Sequence, residues 1–183
     1  HNLILEHPER KVFPTKITYE QTQSSHDFDD LGTITDSTQG IVTSKYPISS
    51  IKKSKSWLPF LLKADGNRYR LQIREMRFID SETISKTLYF YTQPKIMIRR
   101  IINRQNRLMA FYENSKIITN KDYNPFVINS KDYDIFYILG LLNSRLFSYY
   151  YITNSALALK DDFRQNTLSE IRKFQIKKAS TEI

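Results

Sequence analysis

The sequence predicts an α+β domain, antiparallel and β-rich, with a long packed C-terminal helix. Short β-branched or aromatic runs fill residues 69 to 128, split by turn formers. A long apolar stripe at helical spacing follows over 135–152. Strands first and a helix later imply segregated elements, so no doubly wound nucleotide domain is expected.

Residues 1–25, with Pro8, Pro14 and the polar run 21–25, read as a connector or peripheral arm. The domain proper is 26–183, β-rich over 26–130 and helical over 131–183. The chain opens on His1 without a signal-peptide pattern, so it is expected to be a fragment of a longer protein. Its 183 residues are 40% hydrophobic and 26% charged. A chain of that length buries roughly 70% of its unfolded surface and needs no disulfide or metal staple. Cysteine is absent, which excludes cysteine zinc sites, CxxC redox chemistry and a cysteine nucleophile.

In chain order, strands are expected at 69–73, 88–91, 95–102, 108–112, 116–119 and 126–128, with turns at 103–106 and 113–115. Alternation within 95–102 puts Ile96, Ile98 and Arg100 on one face and Met97, Arg99 and Ile101 on the other. Neither face then collects all the charge, and Arg100 is expected as a strand-end or pairing residue. Asn124-Pro125-Phe126 is expected as a turn, since it lacks the second proline of the Asn-Pro-Pro-aromatic motif of amino-methyltransferases.

On the helix, Ile135, Ile138, Leu139, Leu142, Leu146, Tyr149 and Tyr150 share one face. Asn143, Ser144 and Arg145 interrupt the run well short of the ~20 clean residues of a membrane span. Gly140, Ser144 and Ser148 form a small-residue stripe that suits either a close backbone approach or a weakly exposed face. Thr167 and Glu170 carry a capping box, and Phe174 and Ile176 alternate with polar residues as in a half-buried strand.

No catalytic or metal-ligating constellation emerges. His1, His7 and His26 have no i, i+4 partner, and Gly32 and Gly40 are too isolated for a phosphate-binding loop. Nucleophile-elbow and P-loop motifs are absent. Glu9-Arg10-Lys11 is the one Glu-x-Lys tripeptide of a metal-nuclease kind, with only Glu6 before it. Asp27, Asp29, Asp30, Asp161 and Asp162 read as caps or charge balance.

Lys+Arg number 28 against Asp+Glu 19, a net charge of +9. The excess falls in three knots: Lys52, Lys53 and Lys55; Lys63, Arg68, Arg70, Arg74 and Arg77; and Lys95, Arg99, Arg100, Arg104 and Arg107. Trp57, Tyr69, Tyr89 and Tyr91 are interleaved with them. Such clusters release counterions from phosphates, and arginine forks also grip guanine edges. Candidate DNA contacts are Lys45, Lys52, Lys53, Lys55, Arg68, Arg70, Arg99, Arg104 and Arg107. Gln39 and Asn106 are candidate amides for adenine, and Thr43 completes the set. The same surface would also serve a protein-interaction module docking an acidic partner.

Leu31-Gly32-Thr33-Ile34 leading to Gln39-Gly40-Ile41-Val42-Thr43 resembles the opening of target recognition domains in restriction-modification enzymes. There a Gly-Ile-x-Thr turn follows a short helix. Residues 59–69, ending in Arg68-Tyr69, are similar to a further segment of those domains. Gln93-Pro94-Lys95-Ile96, Arg107-Leu108-Met109-Ala110, the run Leu139-Gly140-Leu141-Leu142-Asn143-Ser144-Arg145-Leu146-Phe147 and Tyr149-Tyr150 resemble the TaqI-like C-terminal specificity domain. Leu-Leu-Asn-Ser-x-Leu-Phe is its most specific piece. The sequence departs from the pattern at Ser44, where the family has glycine, and at Phe174-Gln175-Ile176-Lys177, where it has Leu-Pro-Ile-Pro.

The resemblance implies a noncatalytic, sequence-specific target recognition domain for double-stranded DNA. It implies a parent adenine-N6 DNA methyltransferase, of the restriction-modification type IIG kind and possessed or not of endonuclease activity, acting in phage defence. It further implies an N-terminal methyltransferase domain of the same chain as partner, S-adenosylmethionine bound in that catalytic domain rather than here, and a cytoplasmic location with no membrane contact. The long helix is then scaffold rather than recognition helix.

Overall fold

Lys95–Arg99 forms a strand whose first four residues are buried, and it fixes the middle layer of the fold. The computed structural model describes residues 27–159 and 164–178. The connector 1–25, His1, His7, His26, the Glu9-Arg10-Lys11 tripeptide, Asp161 and Asp162 lie outside the described residues.

The elements in order are β1 (Phe28–Asp30), α1 (Leu31–Ile34), β2 (Thr35–Ser37), β3 (Ile48–Ser49), β4 (Trp57–Asn67), β5 (Arg70–Asp80), α2 (Tyr89–Thr92), β6 (Lys95–Arg99), β7 (Ala110–Glu113), β8 (Ile118–Thr119), β9 (Tyr123–Ile128), α3 (Ile135–Leu142), α4 (Arg145–Asn154), α5 (Leu168–Arg172) and β10 (Gln175–Lys177). One four-stranded sheet has the order β2-β9-β6-β7 and a second the order β3-β5-β4-β8, while β1 pairs with β10. Pairing is antiparallel throughout except between β4 and β8. The fold is α+β and rich in antiparallel sheet, as expected.

Strand β6 shows why three layers form. Ile96 and Ile98 enter a core shared with Ile138, Leu139 and Leu142 of α3 and Ile171 of α5. Met97, from the opposite face, packs with Leu61, Met109, Phe111 and Tyr123 against the second sheet. Apolar side chains on both faces mark a strand covered twice, by helices on one side and by sheet on the other.

The helical region departs from the sequence reading. The expected continuous helix over 135–152 is broken into α3 and α4 at Asn143 and Ser144. Asp134 opens α3 by accepting from the Phe136 and Tyr137 N–H groups, and Ser144, in an extended conformation, opens α4 by accepting from Phe147 N–H at 3.0 Å. The small-residue stripe is also lost as a unit. Ser148 is buried and accepts from Leu108 N–H at 3.1 Å, whereas a Cβ at Gly140 would meet open space.

Residues 88–91, expected as strand, form the start of α2 instead, with Leu88 as its N-cap. Thr92 bonds back to the Leu88 carbonyl at 3.2 Å, and burial of Tyr91 holds that turn against the second sheet's core. Asn124-Pro125-Phe126 is not a turn but part of β9, with Pro125 opposite Met97. The capping box is present as expected: Glu170 N–H donates to Thr167 Oγ1 at 3.3 Å.

Candidate nucleic-acid interface

Two antiparallel strands of eleven residues each, β4 and β5, separate the basic knots in space. Lys52, Lys53 and Lys55 are exposed just before β4, and Lys53 Nζ lies 5.1 Å from the centroid of the Trp57 ring. Lys45 and Thr43 sit in the short 3-10 turn Thr43–Lys45, the lysine exposed and the threonine half-buried. Strand β3, which follows, pairs with the Phe78–Ile79 end of β5. Arg68 and Arg70 are exposed at the opposite end, where Asn67 pairs with Arg70. At ~3.3 Å per residue the two ends stand roughly 30 Å apart.

Ion pairing then thins the knots. Lys63 and Arg77 both reach Glu75, at 3.4 and 2.5 Å, and Arg74 pairs with Asp65 at 2.6 Å. Arg100 is half-buried and 3.8 Å from Asp122, the pairing role expected of it. Lys95 is fully buried and donates to the carbonyls of Tyr91 at 3.0 Å and Ser115 at 2.7 Å. Burial lowers its pKa to about 8, although Glu113 nearby pulls the other way. Lys95 is thus an internal clamp, not surface charge.

What remains converges. Arg68 comes from the β4–β5 turn, Arg107 from the loop before β7 and Arg145 from the first position of α4. Arg107 feels both of the others: burial first, then the charges of Arg68 and Arg145, lower its pKa, while Tyr69 raises it. Among the described residues none of the three has an ion-pair partner. Like charges held together without a carboxylate make a ready seat for an anion.

Each member is positioned by the chain around it. Asn103 Oδ1 accepts from the N–H groups of Gln105 at 3.1 Å and Arg107 at 2.9 Å, so a side chain shapes the loop locally. Arg107 is half-buried and donates to the Asn143 carbonyl at 2.6 Å, so part of its guanidinium serves the fold. Arg104 is exposed on that loop, and Asn106 beside it has φ 56°. Arg164 donates to the Asn106 side-chain oxygen. That bond takes one of the two lone pairs of the Asn106 oxygen, leaving the other and the amide N–H groups. Arg99 is half-buried and lines a different feature, a cavity of about 300 Å³ shared with Lys63, Asp65, Asp122 and Tyr123.

Tyr69 is the residue most at odds with its surroundings. It occupies φ 71°, is 50% exposed, and is fixed by a bond from its N–H to the Ala110 carbonyl at 3.0 Å. In the sequence Tyr69 stands out as an aromatic interleaved with basic residues, and nothing local singles out Arg145. Arg145 stands 38 positions beyond Arg107 in the 183-residue chain, so no local charge run signals it. Gln39 is exposed beside Gly40, whose N–H donates to Asn124 Oδ1 at 3.3 Å.

Among the described residues no three His, Cys, Asp or Glu groups are placed to hold a metal ion, and no helix is long and apolar enough to cross a membrane. The chain is similar over 192 residues, at 39% identity, to a Methanocaldococcus jannaschii protein named for a type II restriction enzyme and methyltransferase. The match covers 96% of this chain and 16% of that protein. The model of the TaqI-like C-terminal specificity domain matches residues 59–176. That span takes in β5 and all of β4 but its first two residues, with Arg107, Asn143 and Arg145, and the chain belongs to the TaqI-like C-terminal specificity domain family.

Proposed function

We propose that this domain binds double-stranded DNA sequence-specifically and serves as the target recognition part of a restriction-modification methyltransferase. The observation that carries the reading is the convergence of Arg68, Arg107 and Arg145, drawn from three distant parts of the chain and without an ion-pair partner among the described residues. Guanidinium groups bind phosphate oxygens through paired N–H donors, which would fix the domain's register on the duplex. Gln39, Arg70 and Arg104, all exposed, are then the side chains suited to base edges.

The lysines roughly 30 Å away along the hairpin suit a second phosphate contact, since about one helical turn of duplex covers that distance. Methyl transfer would belong to an adjoining N-terminal domain. Gly32, Gly40, Gly66 and Gly140 are too scattered to build an S-adenosylmethionine loop here. A type IIG parent enzyme acting in cytoplasmic phage defence is part of the same proposal.

Fluorescence anisotropy with a duplex library at several salt concentrations tests it. Tight binding to a subset of sequences, weakening steeply with salt, is expected. Undetectable binding at low salt, or binding to an acidic protein that duplex DNA does not displace, would overturn it.

A further inference from the structure

Tyr69 carries a cost that packing does not explain. A bulky residue at φ 71° sits in the left-handed region, where glycine or asparagine is usual. Its ring is half exposed and has no aromatic neighbour among the described residues. The other exposed aromatics do: Tyr89 meets Phe90 at 5.5 Å and Phe136 meets Tyr112 at 4.9 Å. Strain of this kind persists where surrounding structure over-determines it, and it concentrates at functional sites.

The surrounding structure is specific. Tyr69 N–H donates to the Ala110 carbonyl, and a bridge joins Tyr69 to Phe111. That same carbonyl accepts from Asn143 Nδ2 at 3.0 Å, and Ala110 N–H donates to Asn143 Oδ1 at 3.0 Å. The asparagine of the Leu-Leu-Asn-Ser run therefore braces the strand on which Tyr69 hangs. Arg68 and Arg70 flank the ring in sequence, and Arg107 is close enough for its charge to couple with the Tyr69 phenol.

We infer that Tyr69 is an aromatic wedge that enters the base stack of the bound duplex, with the arginines around it holding the phosphates on either side. Phosphates satisfy guanidinium groups but offer nothing to an apolar ring face, whereas unstacked bases do. The wedge rests on the DNA-binding reading above. It adds a base-contacting role to a residue that a purely electrostatic clamp would leave idle.

Duplexes carrying 2-aminopurine at successive positions, titrated with the full chain, test this. A fluorescence increase at one base step is expected. Tyr69→Gly and Tyr69→Ala should abolish it and weaken binding about 10- to 100-fold, while Tyr69→Phe keeps both properties. Glycine adopts this φ freely, so Tyr69→Gly should melt no lower than the parent chain, which separates folding from binding. Should Tyr69→Gly bind as tightly with unchanged fluorescence while Arg68→Ala weakens binding, the wedge is overturned and the DNA reading stands. Absence of any duplex binding by the parent chain overturns both.

Discussion

Asn143 and Ala110 exchange two hydrogen bonds of 3.0 Å each, a side-chain amide pairing with a backbone as a neighbouring strand would. Ala110 opens β7, the edge of the sheet β2-β9-β6-β7. Only a primary amide supplies donor and acceptor side by side, so the asparagine extends the sheet by one residue's worth of pairing. Helix α3 ends there because its last turn is committed to that bond, with Asn143 Nδ2 also reaching the Leu139 carbonyl at 3.1 Å.

Replacing Asn143 by alanine or leucine leaves the Ala110 N–H buried without its partner. Loss of about 2–4 kcal/mol of stability is expected, read from urea denaturation. Asn143→Asp keeps the acceptor but not the donor and should be nearly as damaging.

Arg68 and Arg145 should each contribute about one unit to the slope of log affinity against log salt. Arg68→Ala and Arg145→Ala should lower that slope across all duplex sequences. Arg74→Ala serves as the comparison, because Arg74 is exposed but already paired with Asp65 at 2.6 Å. An equal effect at all three positions in anisotropy titrations would contradict the interface.

Gly40 lies where backbones meet. A Cβ there would stand 2.0 Å from the Asn120 carbonyl oxygen and 2.4 Å from that of Tyr123. Neighbouring Ile41 N–H donates to the Thr119 carbonyl at 2.9 Å, so the segment cannot retreat without losing a bond. Gly40→Ala should cost about 3 kcal/mol, and thermal melting would show it.

One buried group, Lys95, and one half-buried group, Glu170, set the pH response in opposite ways. Lys95 titrates near 8 in the folded chain, below its ordinary value, so between about pH 8 and 10 the unfolded chain holds more protons. Stability relative to Lys95→Met should therefore rise with pH through that window. Burial works against ionising Glu170, yet hydroxyls of Tyr151 at 2.6 Å, Thr167 at 2.7 Å and Ser155 at 3.1 Å hold its pKa below the usual range. Its contribution is complete above about pH 4.3 and is lost as pH falls through the folded value, so Glu170→Gln should flatten the acid limb of a melting curve.

Local signals were the legible ones. The faces of β6, the capping box at Thr167 and the turn at 113–115 follow from spacing alone, and the Asn-Ser motif stands out by resemblance before its bonds are known. Strand β4 was not legible, because irregular register around Leu61, Lys63 and Ala64 shifts the period-two pattern partway along. Lys95 was misread because a charged residue in a basic run suggests surface, whereas three backbone carbonyls receive it inside. Arg145 was missed for the opposite reason: charges far apart in sequence became neighbours only through the fold.

The pairing of Phe28 with Lys177 and of Asp30 with Gln175 brings both ends of the described fold onto one short ribbon. Entry and exit at a single point let such a unit be exchanged like a cassette, since its host needs to accommodate only one attachment site. Grafting the unit between hosts through that ribbon should transfer its recognition properties without rebuilding either sheet.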